Sequence, residues 1–331
     1  MSANAIVFES VTRSFGRTRA LDAVDLTVAP GSVLGLVGRN GAGKTTALRL
    51  AHGVLFPDTG RIRVLGLDPV RQGSEVRRRA SLLSEESSLY PWMTVEEILA
   101  FGGALHPCWD AALARALRER LDLDPRAKIK TLSRGTRAKV ALVLAVACRP
   151  EVLLLDDPTA GLDPLVRGEV LQGILEAIPA EGGAVVYASH LVADIERVAD
   201  RVAILDQGRI RIDAPLEELK TRVRRAIAVF EGDAPLPAKA DLPGRIDARA
   251  DGRVLTIVAE GADGELAAGL RALGAKEVAI EPLPLEEILV AYLREGRRDA
   301  PGPDGGADVV TDAGGDAGAS RAAAPHQGGR P

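Results

Sequence analysis

The chain has 331 residues, ample for one large α/β domain and a smaller one. Hydrophobic residues make up 46% and charged residues 27%, the balance of an ordinary globular protein, and a net charge of −4 gives no reason to expect nucleic acid as a partner. With only Cys108 and Cys148, a disulfide framework is excluded and a reducing, cytoplasmic setting is expected.

The first residues, Met1 to Ile6, lack a basic region followed by a long apolar core, so no signal peptide is expected. The longest apolar run, Val140 to Cys148, is too short to span a bilayer. Any membrane role would therefore run through a partner.

Short β segments come first, at Ile6 to Val11 and Val24 to Val28. Phe15 lies between them. An aromatic beside a base site can stack on the base, but the residue by itself reads better as a hairpin or core phenylalanine. Pro30-Gly31 turns the chain into the apolar run Val33 to Val37. There follows the stretch on which the rest depends: Gly38-Arg39-Asn40-Gly41-Ala42-Gly43-Lys44-Thr45-Thr46, leading into a helical run from Ala47. Strand, glycine loop and helix together form the context of a phosphate-binding loop. Its glycines let backbone N–H groups converge on a phosphate, and the helix dipole favours the same anion. Lys44 would reach the β and γ phosphates, and the Thr45 hydroxyl would hold Mg²⁺.

Further on, Gly60 to Gly66 has strand alternation, residues 72–79 read as helical, and Ser81 to Ser84 leads to Glu85-Glu86. Thr94 with Glu97 three residues later predicts a capped helix start. A helical stripe of Leu113, Leu117 and Leu121 covers residues 110–121. Ser133, next to Arg134 and Gly135, precedes the apolar helix and reads in isolation as a helix cap. Val152 to Leu155 reads as a buried parallel strand ending in Asp156 and Asp157, where open α/β sheets bind ligands. Asp156 would hold Mg²⁺, and Asp157 would orient or deprotonate an attacking water. A second buried strand, Ala184 to Ser189, ends at His190, and Arg201 to Asp206 is a third.

In identity, order and spacing these motifs resemble the ATP-binding subunit of ABC (ATP-binding cassette) transporters, over about residues 4–220. Gly38 to Thr46 resembles Walker A, Leu155 to Pro158 Walker B, and Gly161-Leu162-Asp163 lies in the D-loop. His190 matches the switch histidine, and Ser133, Arg134 and Gly135 the signature. Phe15 matches the A-loop aromatic, which reverses the reading made from the residue alone. The resemblance implies a P-loop NTPase fold of the ABC-ATPase type: a mixed sheet core, an antiparallel β subdomain and a helical subdomain. It also implies ATP and Mg²⁺ as cofactors, a membrane permease as partner, and a head-to-tail pair of cassettes, expected here to be a homodimer. In that pair Ser133, Arg134 and Gly135 would contact ATP held by the other copy. The pattern departs at three places. Arg134 and Thr136 stand where Gly and Gln are common, Glu85 takes the Q-loop position as a candidate for metal or water, and Asp157 replaces the usual catalytic Glu. Asp is shorter by roughly 1.5 Å, and a misplacement on the order of 1 Å can cost about 10²-fold in rate.

Trp92 and Trp109 lie in the expected helical subdomain, where docking to a permease and filling the subdomain's own core are both open. Residues 221–295 are expected to form a small α+β domain resembling the C-terminal extensions of exporter-type cassettes. Residues 296–331, rich in Gly, Ala, Pro and Asp, are expected to be disordered. Two other functions remain in view: a weakly hydrolytic cassette acting as an ATP-gated module in a heterodimer, and a soluble ABC protein outside transport. The second usually carries a second cassette or long coiled coils, neither of which this sequence has.

Overall fold

Two long strands, β1 (Ile6–Phe15) and β2 (Thr18–Val28), form an antiparallel hairpin around Gly16, whose φ of +58° suits the tight turn. The sequence suggests β1 only as far as Val11. It continues because its polar end pairs with β2, Arg13 opposite Leu21 and Phe15 opposite Thr18. The computed structural model describes residues 4–84, 89–177, 183–232, 236–237, 242 and 244–298.

The chain continues through β3 (Val33–Val37), α1 (Lys44–Ala51), β4 (Thr59–Val64), α2 (Gly73–Arg79), β5 (Ala80–Leu83), α3 (Val95–Leu105), α4 (Ala111–Arg120) and α5 (Arg134–Ala147). Next come β6 (Val152–Asp156), α6 (Pro164–Ala177), β7 (Ala184–Ser189), α7 (Val192–Val198), β8 (Arg201–Asp206), β9 (Arg209–Pro215) and α8 (Leu216–Arg222). The last part contains β10 (Val223–Phe230), β11 (Arg245–Asp251), β12 (Val254–Glu260), α9 (Asp263–Ala272), β13 (Ala275–Pro282) and α10 (Leu285–Arg298).

A six-stranded sheet of order β5-β6-β7-β3-β8-β9 carries the site. Its first five strands are parallel and β9 is antiparallel to β8. The central strands are continuous apolar runs because both faces are covered. Successive side chains point to opposite faces, so Val33 and Val37 of β3 enter one core and Leu34 and Leu36 the other. On β6 the same alternation divides Leu153 and Leu155 from Val152 and Leu154. One core packs against α3 to α7. The other packs against α1 and the three-stranded antiparallel sheet β2-β1-β4.

The helical subdomain begins where the sequence places it. Thr94 Oγ1 accepts the Glu97 N–H at 3.2 Å, and Glu97 accepts the Thr94 N–H at 2.8 Å, a complete capping box. A separate antiparallel sheet, β11-β12-β10-β13, carries α9 against β13 and β10. The final helix does not stay with it. Leu285, Ile288, Leu289 and Tyr292 of α10 join the core that contains Val192, Ile195 and Val198 of α7. The helix that the sequence suggests over 284–293 also runs on to Arg298.

Candidate active site

The glycine loop leaves the buried end of β3 and enters α1 through Gly43, which has φ +111°. A Cβ on Gly43 would lie 2.3 Å from the Ala20 carbonyl oxygen, so only glycine lets the loop pass this close to β2. On its other side the loop is tied down by the Gly208 N–H, which donates to the Ala42 carbonyl at 3.1 Å. Arg39, Asn40 and Gly41 at the tip are exposed, while Gly38, Ala42 and Lys44 are buried. Lys44 Nζ donates to the carbonyls of Gly38 (2.8 Å) and Arg39 (3.3 Å), holding the ammonium inside the loop. Burial lowers the Lys44 pKa, opposed by the carboxylates of Asp157 and Asp156. Thr46 follows on the first turn of α1, half-buried.

β6 delivers two carboxylates to the same place. Asp156 is 5% exposed, and its Oδ1 accepts the Thr45 hydroxyl at 3.0 Å. Burial raises the Asp156 pKa, with the Thr45 hydrogen bond opposing and the neighbouring Asp157 charge adding to the rise. Asp157 adopts φ +46°, in the left-handed region, which turns its side chain toward the end of β7. There its Oδ1 accepts three donors: the Ser189 hydroxyl (2.9 Å), the His190 backbone N–H (3.1 Å) and His190 Nδ1–H (2.8 Å). A carboxylate only accepts, so the Nδ1 that faces Asp157 is the donor in this pair. The structure thus brings together Lys44, Thr45, Asp156, Asp157 and His190 from the ends of three strands.

Ser189 is a contact that residue-by-residue reading does not supply, since a serine before a histidine carries no pattern of its own. A second unread feature lies beneath it. Thr159, Tyr187 and Asp194 are all buried; the Thr159 hydroxyl donates to Asp194 Oδ2 at 2.6 Å and the Tyr187 hydroxyl reaches it at 3.3 Å. Arg167 closes the group with Nε 3.3 Å from the same oxygen. Asp194 lies in the first turn of α7, and no sequence pattern singles it out. Only the packing buries it.

Residues 21–160 match the family model described as ABC transporter. Daunorubicin resistance ATP-binding protein DrrA3 of Streptomyces coeruleorubidus is 33% identical over 90% of this chain and 98% of its own length. The chain belongs to the ABC transporter family, as an ATP-binding protein. A further relative, ABC transporter ATP-binding protein YtrB of Bacillus subtilis (strain 168), is 29% identical over 88% of this chain and 99% of its own. A solved ATP-binding subunit of an ABC transporter superposes with a TM-score of 0.60 at 26% identity, covering 65% of this chain and 92% of that one. As a member of this family the chain is an ATP-binding ATPase with the ABC-ATPase P-loop fold.

In this ABC protein Ser133, Arg134 and Gly135, the residues expected as the signature, sit at the start of α5. The Ser133 hydroxyl caps the helix, accepting the Thr136 N–H at 3.0 Å. Arg134 lies over Gly161 of its own chain, in the segment expected as the D-loop: a Cβ on Gly161, which has φ +68°, would be 2.7 Å from Arg134 Nη1. Gly135 faces Val166, and Leu162 is partly buried against the main core. Asp163 caps α6 by accepting the N–H groups of Leu165 and Val166, both at 3.1 Å. Arg134, Asp157 and Leu162 line one cleft of about 340 Å³ between the helical subdomain and the sheet. Glu85, expected at the Q-loop position, lies outside the described residues. The two tryptophans have different fates. Trp109 packs onto the paired glycines Gly102 and Gly103 of α3, whereas Trp92 is 65% exposed. Among the described residues no helix is long and apolar enough to cross a membrane.

Proposed function

We propose that this chain is the ATP-hydrolysing subunit that drives a separate membrane permease. It works in the export direction on the cytoplasmic face of the membrane, as one of two identical cassettes, with no nucleic acid involved. The observation that carries this reading is the meeting of Lys44, Thr45, Asp156, Asp157 and His190 at adjoining strand ends. Lys44 leaves its loop carbonyls to pair with the β and γ phosphates of ATP, and the loop N–H groups from Gly38 to Thr46 complete the cradle. Phe15 receives the adenine.

Thr45 Oγ1 and Asp156 Oδ1 already face each other at 3.0 Å, an all-oxygen pair suited to a hard cation, and would hold Mg²⁺. When bound, Mg²⁺ neutralises charge on the phosphate oxygens. Glu85 is proposed as a further ligand. Asp157 accepts the proton of the attacking water through its carboxylate, and His190, oriented by Asp157, contacts the γ-phosphate. Ser133, Arg134 and Gly135 reach ATP held by the other cassette, while Gly161, Leu162 and Asp163 line the contact between copies. The export direction takes its support from the name of the daunorubicin-resistance relative and from the C-terminal sheet appended to the cassette.

One observation favours a second reading, a slow cassette used as an ATP-gated module: Asp157 is short and its Oδ1 is committed to Ser189 and His190. Steady-state ATP hydrolysis of the parent, Lys44→Ala and Asp157→Asn, with oligomeric state followed by light scattering, separates the two. A motor hydrolyses ATP as the parent, and its Asp157→Asn form accumulates as an ATP-bound dimer. A parent that dimerises with ATP but turns over no faster than the variants is a module instead.

A further inference from the structure

Phe15 ends β1 and, at 46% exposed, is among the large apolar side chains left open to solvent. One face of its ring is nonetheless covered. Residues 13 and 15 share a strand face, and the Arg13 guanidinium carbon lies 4.8 Å from the Phe15 ring centroid. The arginine is itself held. Arg13 Nη1 donates to Asp58 Oδ1 at 2.7 Å, and Asp58 Oδ2 accepts the Ser14 N–H, also at 2.7 Å. The Asp58 N–H donates back to the Thr12 carbonyl at 2.8 Å. One aspartate, in the loop that precedes β4, therefore grips three consecutive residues of β1 just before Phe15. The hairpin is also set against the phosphate loop, since the Ala20 carbonyl abuts Gly43 and the Asp22 N–H donates to Gly208 at 2.8 Å.

We propose that Arg13 and Asp58 are positioning residues for the nucleotide base, forming a three-layer stack in which Arg13 backs Phe15 and the purine takes the open face. This rests on the reading that Phe15 receives the adenine. A flexible surface phenylalanine would lose rotamer freedom on binding a base; here the guanidinium and its carboxylate clamp fix the ring beforehand. The cation also draws on the electron-rich face it covers, leaving the opposite face less negative toward a π-rich purine. Arg13 thus acts through Phe15 and never touches the ligand, and Asp58 acts through Arg13.

The test is calorimetric titration of the full chain with MgATP and, separately, with magnesium tripolyphosphate, which has the phosphates but no base. Arg13→Met is expected to weaken ATP binding about three- to tenfold and to leave tripolyphosphate unchanged. Asp58→Asn is expected to act in the same direction. Phe15→Leu weakens ATP at least as much as Arg13→Met, and the double variant Arg13→Met/Phe15→Leu binds ATP no more weakly than Phe15→Leu alone. Equal losses for ATP and tripolyphosphate in Arg13→Met would mean a general structural or phosphate role and would overturn the proposal. So would multiplying losses in the double variant, or unchanged ATP binding by Arg13→Met while Phe15→Leu is weakened. If Phe15→Leu itself binds ATP as the parent does, the adenine reading of Phe15 fails, and the stack falls with it. Parent-like thermal unfolding of each variant keeps misfolding out of the comparison.

Discussion

His190 Nδ1 lies 2.8 Å from Asp157 Oδ1, so the last residue of one strand-end motif orients the first residue after another. The bond makes the two side chains one unit. Removing either leaves the other without its orienting partner, as with catalytic groups that act together. Asp157→Asn and His190→Ala are each expected to lower kcat for ATP hydrolysis by about 10²-fold or more. The double variant is expected to be scarcely slower than either single one. Steady-state phosphate release measures this, and losses that multiply in the double variant would show that the two act independently.

Gly43 combines a left-handed φ of +111° with a carbonyl oxygen 2.3 Å from where a Cβ would stand. Gly43→Ala must therefore displace either the phosphate loop or β2. Strain of this kind costs on the order of 1–3 kcal/mol. Urea unfolding is expected to show a loss of that size, accompanied by loss of the stabilisation that MgATP confers on the parent. An alanine variant with parent stability and parent ATP binding would contradict the close approach.

His52, at the C-terminal end of α1, bonds through Nε2 to the Ala80 carbonyl at 3.2 Å, and burial pushes its pKa down from 6.5 to about 4. The sign follows from that direction. Below the ordinary value the unfolded chain takes up a proton that the folded chain refuses, so stability is full above pH 6.5 and falls as pH drops toward 4. The loss attributable to this residue is roughly 3 kcal/mol over that window. His52→Gln, which has no such proton to gain, is expected to show a correspondingly shallower decline in unfolding free energy between pH 7 and pH 4.5. Parallel declines in the two proteins would assign the acid sensitivity elsewhere.

The doubly buried strands were legible from their apolar runs, and the capping box from Thr94 and Glu97 alone, because both depend on neighbours within a few residues. β11 was not. Arg245–Asp251, not expected as an element from the sequence, alternates charged residues with small or apolar ones and forms a strand where β12 supplies its partner. The alternatives for the tryptophans could not be separated in sequence either. The glycine pair in α3 that admits Trp109 lies six and seven residues before it, and only the turn between α3 and α4 brings the ring back onto them.

By itself, the sequence determined the strand, glycine loop and helix around Lys44, the strand-end carboxylates and their order along the chain, since each is written in contiguous residues whose local geometry follows from residue type. The tertiary structure alone decided what those groups face. It set Asp157 against Ser189 and His190, buried Asp194 against Thr159, laid Arg134 over Gly161 of its own chain and placed α10 on the main core. These relationships join residues brought together only by the pairing of strands and the packing of helices. Their cause is the burial of both sheet faces, which no short stretch of the chain expresses alone.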